Sequence, residues 1–191
     1  YFVKKISNYY DINSIIVEKE CLAPPFNTYH AYEAERYDFE SKELLNDEDL
    51  RFNYFSQTLE FKNINDEDCV KFISNQKPDV IISFGTGIIK NSIIQKCRHG
   101  IINLHGGDPQ FYRGLDSHLW AIYHKDFSNL KVCLHRINNI LDDGEIIEMK
   151  SIKMKKNLEL YMLRSENTKL CVELTLSALK KFDKKGVFES F

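Results

Sequence analysis

Asn103 and His105 stand two residues apart in IINLHGG (residues 101–107), and Asp142 follows in LDDGEII (residues 141–147). The apolar run Gly100, Ile101, Ile102 reads as a buried strand that delivers both polar residues to its end. Strand alternation puts their side chains on the same side of the backbone. Asp142 closes a second apolar segment, just before Gly144. A carboxamide, an imidazole and a carboxylate at one sheet edge can act as an electrophile stabiliser, a proton shuttle and the shuttle's partner. That combination suits acyl transfer to an amine.

The elements that must carry these groups alternate. YFVKKISNYY (residues 1–10) has mixed helical character, and INSIIVEKE (residues 12–20) reads as a short strand. A helix feeding a strand is an odd opening for an α/β domain, so a first strand and its loop are expected to precede Tyr1. Residues 24–57 differ: Pro24-Pro25 breaks the chain, and a charged, aromatic-rich helix or helix pair follows. This excursion either packs aromatics on the sheet or forms a lid or substrate wall. Order returns with a strand in TLEFKNIN, a helix in DEDCVKFISNQ and a continuous apolar run, DVIISFG, typical of a central parallel strand. GTGIIKNSIIQKC reads as a loop entering a helix, SHLWAIYHKD as a helix, and LKVCLHRIN and EIIEMKSIKM as strands. A last helix is expected from about Leu158 to Phe182, with Leu163, Leu170 and Leu174 on one face. The predicted class is α/β: a Rossmann-like, mostly parallel sheet flanked by helices, with right-handed crossovers.

The bulk numbers bound the function. One domain is expected from 191 residues. A hydrophobic fraction of 43% with 13% aromatics excludes a disordered chain. A net charge of -2 argues against general nucleic-acid binding. No apolar run approaches the roughly 20 residues of a membrane span. Cys21, Cys69, Cys97, Cys133 and Cys171 form no CxxC pair, so the expectation is reduced thiols in the cytoplasm and no metal. Gly85-Thr86-Gly87 is not a GxGxxG and follows a late strand, which argues against dinucleotide binding. His118 is read as capping or lining the pocket and Trp120 as core. His30, His99, His124 and His135 lack metal-ligand spacing and read as surface or packing residues.

HGIINLHGGDPQFYRGLDSHLWAIYHKD resembles the core of the formyltransferase family, which uses 10-formyltetrahydrofolate. The family's Asn-x-His matches Asn103-Leu104-His105, its Tyr-Arg-Gly matches Tyr112-Arg113-Gly114, and its Leu-Asp-x-Gly matches Leu141-Asp142-Asp143-Gly144. PDVIISFGTGII resembles the family's strand and glycine turn beside the folate. The resemblance implies Asn103, His105 and Asp142 as catalytic residues and Gly85, Gly87, Ile88, Ile89 and Leu141 at the folate. It implies Gly106, Gly107, Arg113 and His118 at the substrate. Where the family has Pro-Ser after the catalytic His, this chain has Gly106-Gly107, with Pro109 one position early. A more flexible loop is expected there.

The implied co-substrate is 10-formyltetrahydrofolate, without a metal. The acceptor expected by elimination is a primary amine on a nucleotide-linked amino sugar. Glycinamide ribonucleotide formyl transfer, formyltetrahydrofolate hydrolysis and a non-catalytic folate- or nucleotide-binding module are the alternatives. The partner is thus a small molecule rather than nucleic acid or membrane, and a homodimer is left open.

Overall fold

The computed structural model describes residues 1–20 and 32–191. The Pro24-Pro25 break, Phe26, Tyr29 and His30 lie outside the described residues. Helix α1 (Phe2–Ser7) leads into β1 (Ser14–Glu18), and α2 (Glu33–Leu45) lies in the aromatic-rich region. Then come β2 (Gln57–Phe61), α3 (Glu67–Gln76), β3 (Ile81–Phe84), α4 (Asn91–Ile94) and β4 (Ile101–His105). The chain continues through α5 (Ser117–Tyr123), β5 (Lys131–Arg136), β6 (Ile146–Ser151) and the long α6 (Leu163–Lys185).

Strands β1 and β2 pair in parallel as one sheet, and β3-β4-β5-β6 form a second. Pairing is parallel for β3–β4 and antiparallel for β4–β5 and β5–β6. The parallel character therefore sits in the first half of the chain. A loop of nine residues, 137–145, joins β5 to β6, shorter than the dozen or so that a parallel crossover needs, and the pair runs antiparallel. β3, with the sequence of a central strand, has β4 as its only strand partner among the described residues. The inner strands are β4, whose Ile101, Ile102 and Leu104 are buried, and β5, whose Val132, Cys133 and Leu134 are buried.

Two apolar clusters hold the layers. Ile64, Cys69, Ile73, Ile89, Ile93 and Ile101 gather under α3 and α4, with Ile16 of β1 and Ile81 of β3 packed against them. That cluster joins the two sheets through side chains. The second lies between β4–β6 and α6, where Leu163, Cys171, Leu174 and Ala178 recur at helical spacing and meet Val132, Leu134 and Ile147. The last helix starts later than expected because a 3-10 turn occupies Leu160–Met162. It ends later too: Gly186, at φ 71, supplies the left-handed cap after Lys185, and its N–H reaches the Phe182 carbonyl at 2.7 Å.

Helix α2 has no buried residue and packs on α6 and the turn before it rather than on the sheet. Phe39 meets Tyr161 edge to face, Arg164 pairs with Glu40, and Lys169 pairs with Glu43. Trp120, expected in the core, is 53% exposed and stacks with His124 on the outer side of α5. Helical spacing identifies one buried face; here Ser117 and Ala121 take it, leaving Trp120 outside.

Candidate active site

Strand β4 ends where its register fixes the chemistry. Asn103 pairs with Ser83 of β3 and with His135 of β5, and His105 pairs with Cys133. Directly opposed residues of antiparallel strands project to the same face. Asn103, His105 and His135 therefore share one side of the sheet, with the two imidazole rings 6.2 Å apart and edge to face.

Asp142 reaches this face from the β5–β6 loop. It adopts a left-handed φ of 48 and is 8% exposed. Two residues later Gly144 re-enters the sheet so closely that a Cβ there would lie 1.7 Å from the Arg136 carbonyl oxygen. Only glycine permits that approach, which gives the Leu-Asp-x-Gly pattern a physical reason. The Asp142 carboxylate lies between the imidazoles: Oδ2 is 3.4 Å from His105 Nδ1, and Oδ1 is 3.4 Å from His135 Nε2. The Gly114 N–H donates to Oδ2 at 2.8 Å, and Asn103 Nδ2 lies 3.5 Å from Oδ1. Burial pushes the Asp142 carboxyl up, but His135, His105 and the Gly114 N–H together hold it below its ordinary value. Asp143 instead faces outward and pairs with Arg113 at 2.6 Å.

His105 is 6% exposed. Its Nε2 lies 2.8 Å from the Tyr112 carbonyl oxygen, which can only accept, so that nitrogen carries hydrogen in this geometry. Burial lowers the His105 pKa, against the opposing pull of Asp142 and the Tyr112 carbonyl.

The loop between β4 and α5 closes over the imidazole. A Cβ on Gly106 would meet Asn167 Nδ2 at 2.6 Å and His118 Nδ1 at 3.3 Å. One on Gly107 would meet Ser117 Cβ at 2.6 Å and His105 Nε2 at 3.1 Å. The expected flexible loop is thus a packed one; the glycines serve close approach. Next to them Asp108, 1% exposed, pairs with Lys131 of β5 at 2.8 Å. Arg113 is pinned by its Nε to the Pro109 carbonyl at 2.8 Å and by Asp143. His118 is half-buried beside Gly106, and burial lowers its pKa.

The glycine turn after β3 lies on the β1 side of this face. Gly85 takes a left-handed φ of 66. The Gly87 N–H donates to Glu18 at 2.7 Å, and the Ile88 carbonyl accepts from Asn65 at 2.8 Å. Ile89 is in the core at 4% exposure, whereas Ile88 and Leu141 are 57% and 48% exposed. Of the hydrophobic side chains expected at a folate, Ile88 and Leu141 are open to solvent and Ile89 is not.

The structure therefore gathers Asn103, His105 and Asp142 as expected and adds His135, which sequence reading assigned to surface or packing. At 2% exposure it is fully inside the cluster. The strand pairing that brings it opposite Asn103 is invisible in a linear pattern. Among the described residues no cluster of His, Cys, Asp and Glu is arranged to hold a metal ion, and no helix is long and apolar enough to cross a membrane.

An α/β sheet presenting an amide, a carboxylate and two imidazoles at one strand end has the parts for proton and group transfer. Residues 30–178 match the family model described as formyl transferase, and the chain belongs to that family. Over 96 residues, half of the chain, it is 33% identical to the bifunctional polymyxin resistance protein ArnA of Wigglesworthia glossinidia brevipalpis, covering 14% of that protein. It spans 14–44% of the length of the first curated relatives it matches. Two solved structures share the fold. Phosphoribosylglycinamide formyltransferase from Bacillus halodurans is 14% identical, with a TM-score of 0.64, 94% of this chain and 88% of that one covered. The formyltransferase PseJ from Anoxybacillus kamchatkensis, solved with UDP-4,6-dideoxy-4-formamido-L-AltNAc and tetrahydrofolate, is 20% identical, with a TM-score of 0.58 and coverages of 94% and 80%.

Proposed function

We propose that the chain transfers a formyl group from 10-formyltetrahydrofolate to the primary amine of a nucleotide-linked amino sugar. The observation that carries the reading is the contact of one buried carboxylate, Asp142, with His105 beside Asn103 at the end of β4.

In this reading the amine nitrogen attacks the formyl carbon, and the carbonyl electron pair moves onto oxygen. An Asn103 N–H stabilises that oxyanion. One such donor is worth about 10²–10³ in rate elsewhere. His105 takes the proton from the attacking nitrogen and delivers it to N10 of the folate as the C–N10 bond breaks. Asp142 stabilises the imidazolium in between. A base needs a bare Nε2, so in the reacting tautomer the ring hydrogen moves from Nε2 to Nδ1, where Asp142 Oδ2 at 3.4 Å accepts it, and the amine takes the place of the Tyr112 carbonyl at Nε2. Buried His105, its pKa lowered, is neutral at physiological pH and so available as the base. No metal and no covalent enzyme intermediate is required.

Placement supports this choice of acceptor. Helix α2 is fixed to the start of α6 by Arg164–Glu40 and Lys169–Glu43, and Asn167 of α6 touches the Gly106 loop. It carries Tyr37, 73% exposed, and follows Tyr32, 51% exposed, two rings open to a nucleobase or sugar face. The PseJ structure, with its formamido sugar, gives the chemical precedent. The single-domain organisation, small-molecule acceptor and cytoplasmic site of action belong to the same proposal.

The test mixes the protein with 10-formyltetrahydrofolate and UDP-4-amino-4,6-dideoxy-L-AltNAc, or with glycinamide ribonucleotide, and follows loss of the formyl donor. The proposal expects acceptor-dependent loss with the amino sugar. Turnover with glycinamide ribonucleotide alone would reassign the acceptor, and formate release without any amine would make the chain a hydrolase.

A further inference from the structure

We propose that His135 is a positioning residue for this transfer: it holds the Asn103 carboxamide so that an N–H, not the carbonyl oxygen, faces the reacting centre. The inference rests on the formyl-transfer reading and extends it to a residue that reading does not use.

The starting point is strand register. Asn103 and His135 are directly opposed on β4 and β5, and His135 is sealed from solvent at 2% exposure. Its Nδ1 lies 2.8 Å from the Arg136 carbonyl oxygen. A carbonyl can only accept, so Nδ1 carries the hydrogen. Nε2 faces both the Asn103 amide nitrogen and, at 3.4 Å, Asp142 Oδ1, and we take the ring as neutral, with Nε2 accepting from the nearer group. That acceptor lies 3.1 Å from Asn103 Nδ2. The other polar neighbour of the amide nitrogen is Asp142 Oδ1 at 3.5 Å, again an acceptor. Which end of a carboxamide faces its surroundings is decided by whether those surroundings donate or accept. Here both accept, and both select the NH₂ end.

The NH₂ group has two hydrogens. His135 takes one over the shorter contact. The second, held only across 3.5 Å, is the one free to pass to the oxyanion as the tetrahedral carbon forms. Without an acceptor at Nε2, the carboxamide can turn over and present its oxygen to a developing negative charge.

Two substitutions separate positioning from packing. His135→Gln places a polar group near the Nε2 position, whereas His135→Asn keeps one only near Nδ1. With the amino-sugar probe, His135→Asn is expected to lower kcat roughly 10- to 100-fold, a part of what a lost oxyanion donor costs. KM for 10-formyltetrahydrofolate should stay within about twofold, since uniform binding is untouched. His135→Gln should be at least about tenfold faster than His135→Asn, and the pair Asn103→Ala/His135→Asn no slower than Asn103→Ala alone, because both act through one amide. Equal losses in the two His135 variants, or losses that multiply with Asn103→Ala, would overturn the proposal. The ring nitrogens of the wild-type chain give a readout independent of turnover. Long-range ¹H–¹⁵N spectra at pH 7.5 should show His135 with hydrogen on Nδ1 and none on Nε2. Hydrogen on Nε2 would refute the positioning role even if transfer is confirmed. If no acceptor is formylated, the functional reading fails while the spectra still decide the orientation.

Discussion

Replacing Asp142 by Asn should drop the pKa of His105 further below its already lowered value and remove most of the transfer rate. Asparagine is the informative substitute because residue 142 sits at φ 48, a left-handed conformation that Asn adopts more readily than most residues. Its side-chain oxygen can still accept from the Gly114 N–H, so the change is mainly one of charge. The carboxylate oxygen lies 3.4 Å from His105 Nδ1. Coulomb's law at an effective dielectric near 20 gives about 5 kcal/mol at that separation, a ceiling for the pair. The carboxylate is shared with His135 and Gly114, and comparable pairs move a pKa by about 1–3 pH units. With the charge gone, burial acts on His105 unopposed. The titration of the His105 ring carbon and nitrogen signals by NMR, in wild type and D142N, reads the effect directly. An unchanged His105 pKa, or a rise, would refute the assignment of Asp142 as its charge partner. Folate affinity should change little, because the carboxylate is 8% exposed and faces the imidazoles.

Further outcomes follow from the same contacts. His105→Ala should cost about 10²–10⁴ in kcat, and combining it with Asn103→Ala should cost far less than the product of the singles; near-wild-type turnover in a folded single variant would remove that residue from the site. Asp143→Asn breaks a half-exposed pair with Arg113, so stability should fall by less than about 1 kcal/mol and the His105 titration should not move; chemical denaturation and the same spectra check both. Gly144→Ala puts a Cβ 1.7 Å from a backbone oxygen and should cost about 3 kcal/mol or more, read as a lowered thermal midpoint. The pKa values of His105 and His118 are lowered on folding, so the unfolded chain binds more protons. Stability should therefore decline as pH falls through about 6.5, and Asp142, also lowered, adds a loss only below about pH 4. Denaturant midpoints that rise between pH 7 and 5.5 would contradict this sign.

Much of the site could be read without coordinates because its logic is local. Two residues apart on an apolar strand is a same-face statement, and Asn103 and His105 obey it. Asp142 was reachable through the resemblance of Leu141-Asp142-Asp143-Gly144 to the family's Leu-Asp-x-Gly, and the close re-entry beside Arg136 gives that glycine its physical reason. His135 was hidden because its place opposite Asn103 depends on the β4–β5 register, a long-range fact set by side-chain packing. Gly106-Gly107 misled for the opposite reason: glycine signals freedom in an isolated chain and close approach in a packed one. Trp120 failed as a core residue because a short amphipathic helix has two candidate faces, and the smaller residues Ser117 and Ala121 took the buried one. The class of fold followed from alternation of strands and helices, while the antiparallel β4–β5–β6 half required knowing how short connections constrain strand direction.

The central claim is that Asn103, His105 and Asp142 together move a formyl group from folate to an amine. The most direct measurement uses 10-formyltetrahydrofolate labelled with ¹³C in the formyl carbon, with the UDP-linked amino sugar as acceptor, followed by ¹³C NMR. The wild-type chain should convert the donor signal into a formamide signal, and His105→Ala at equal concentration should leave the donor intact. A formamide signal that grows equally fast with His105→Ala, or a donor that the wild-type chain leaves untouched, would contradict the account.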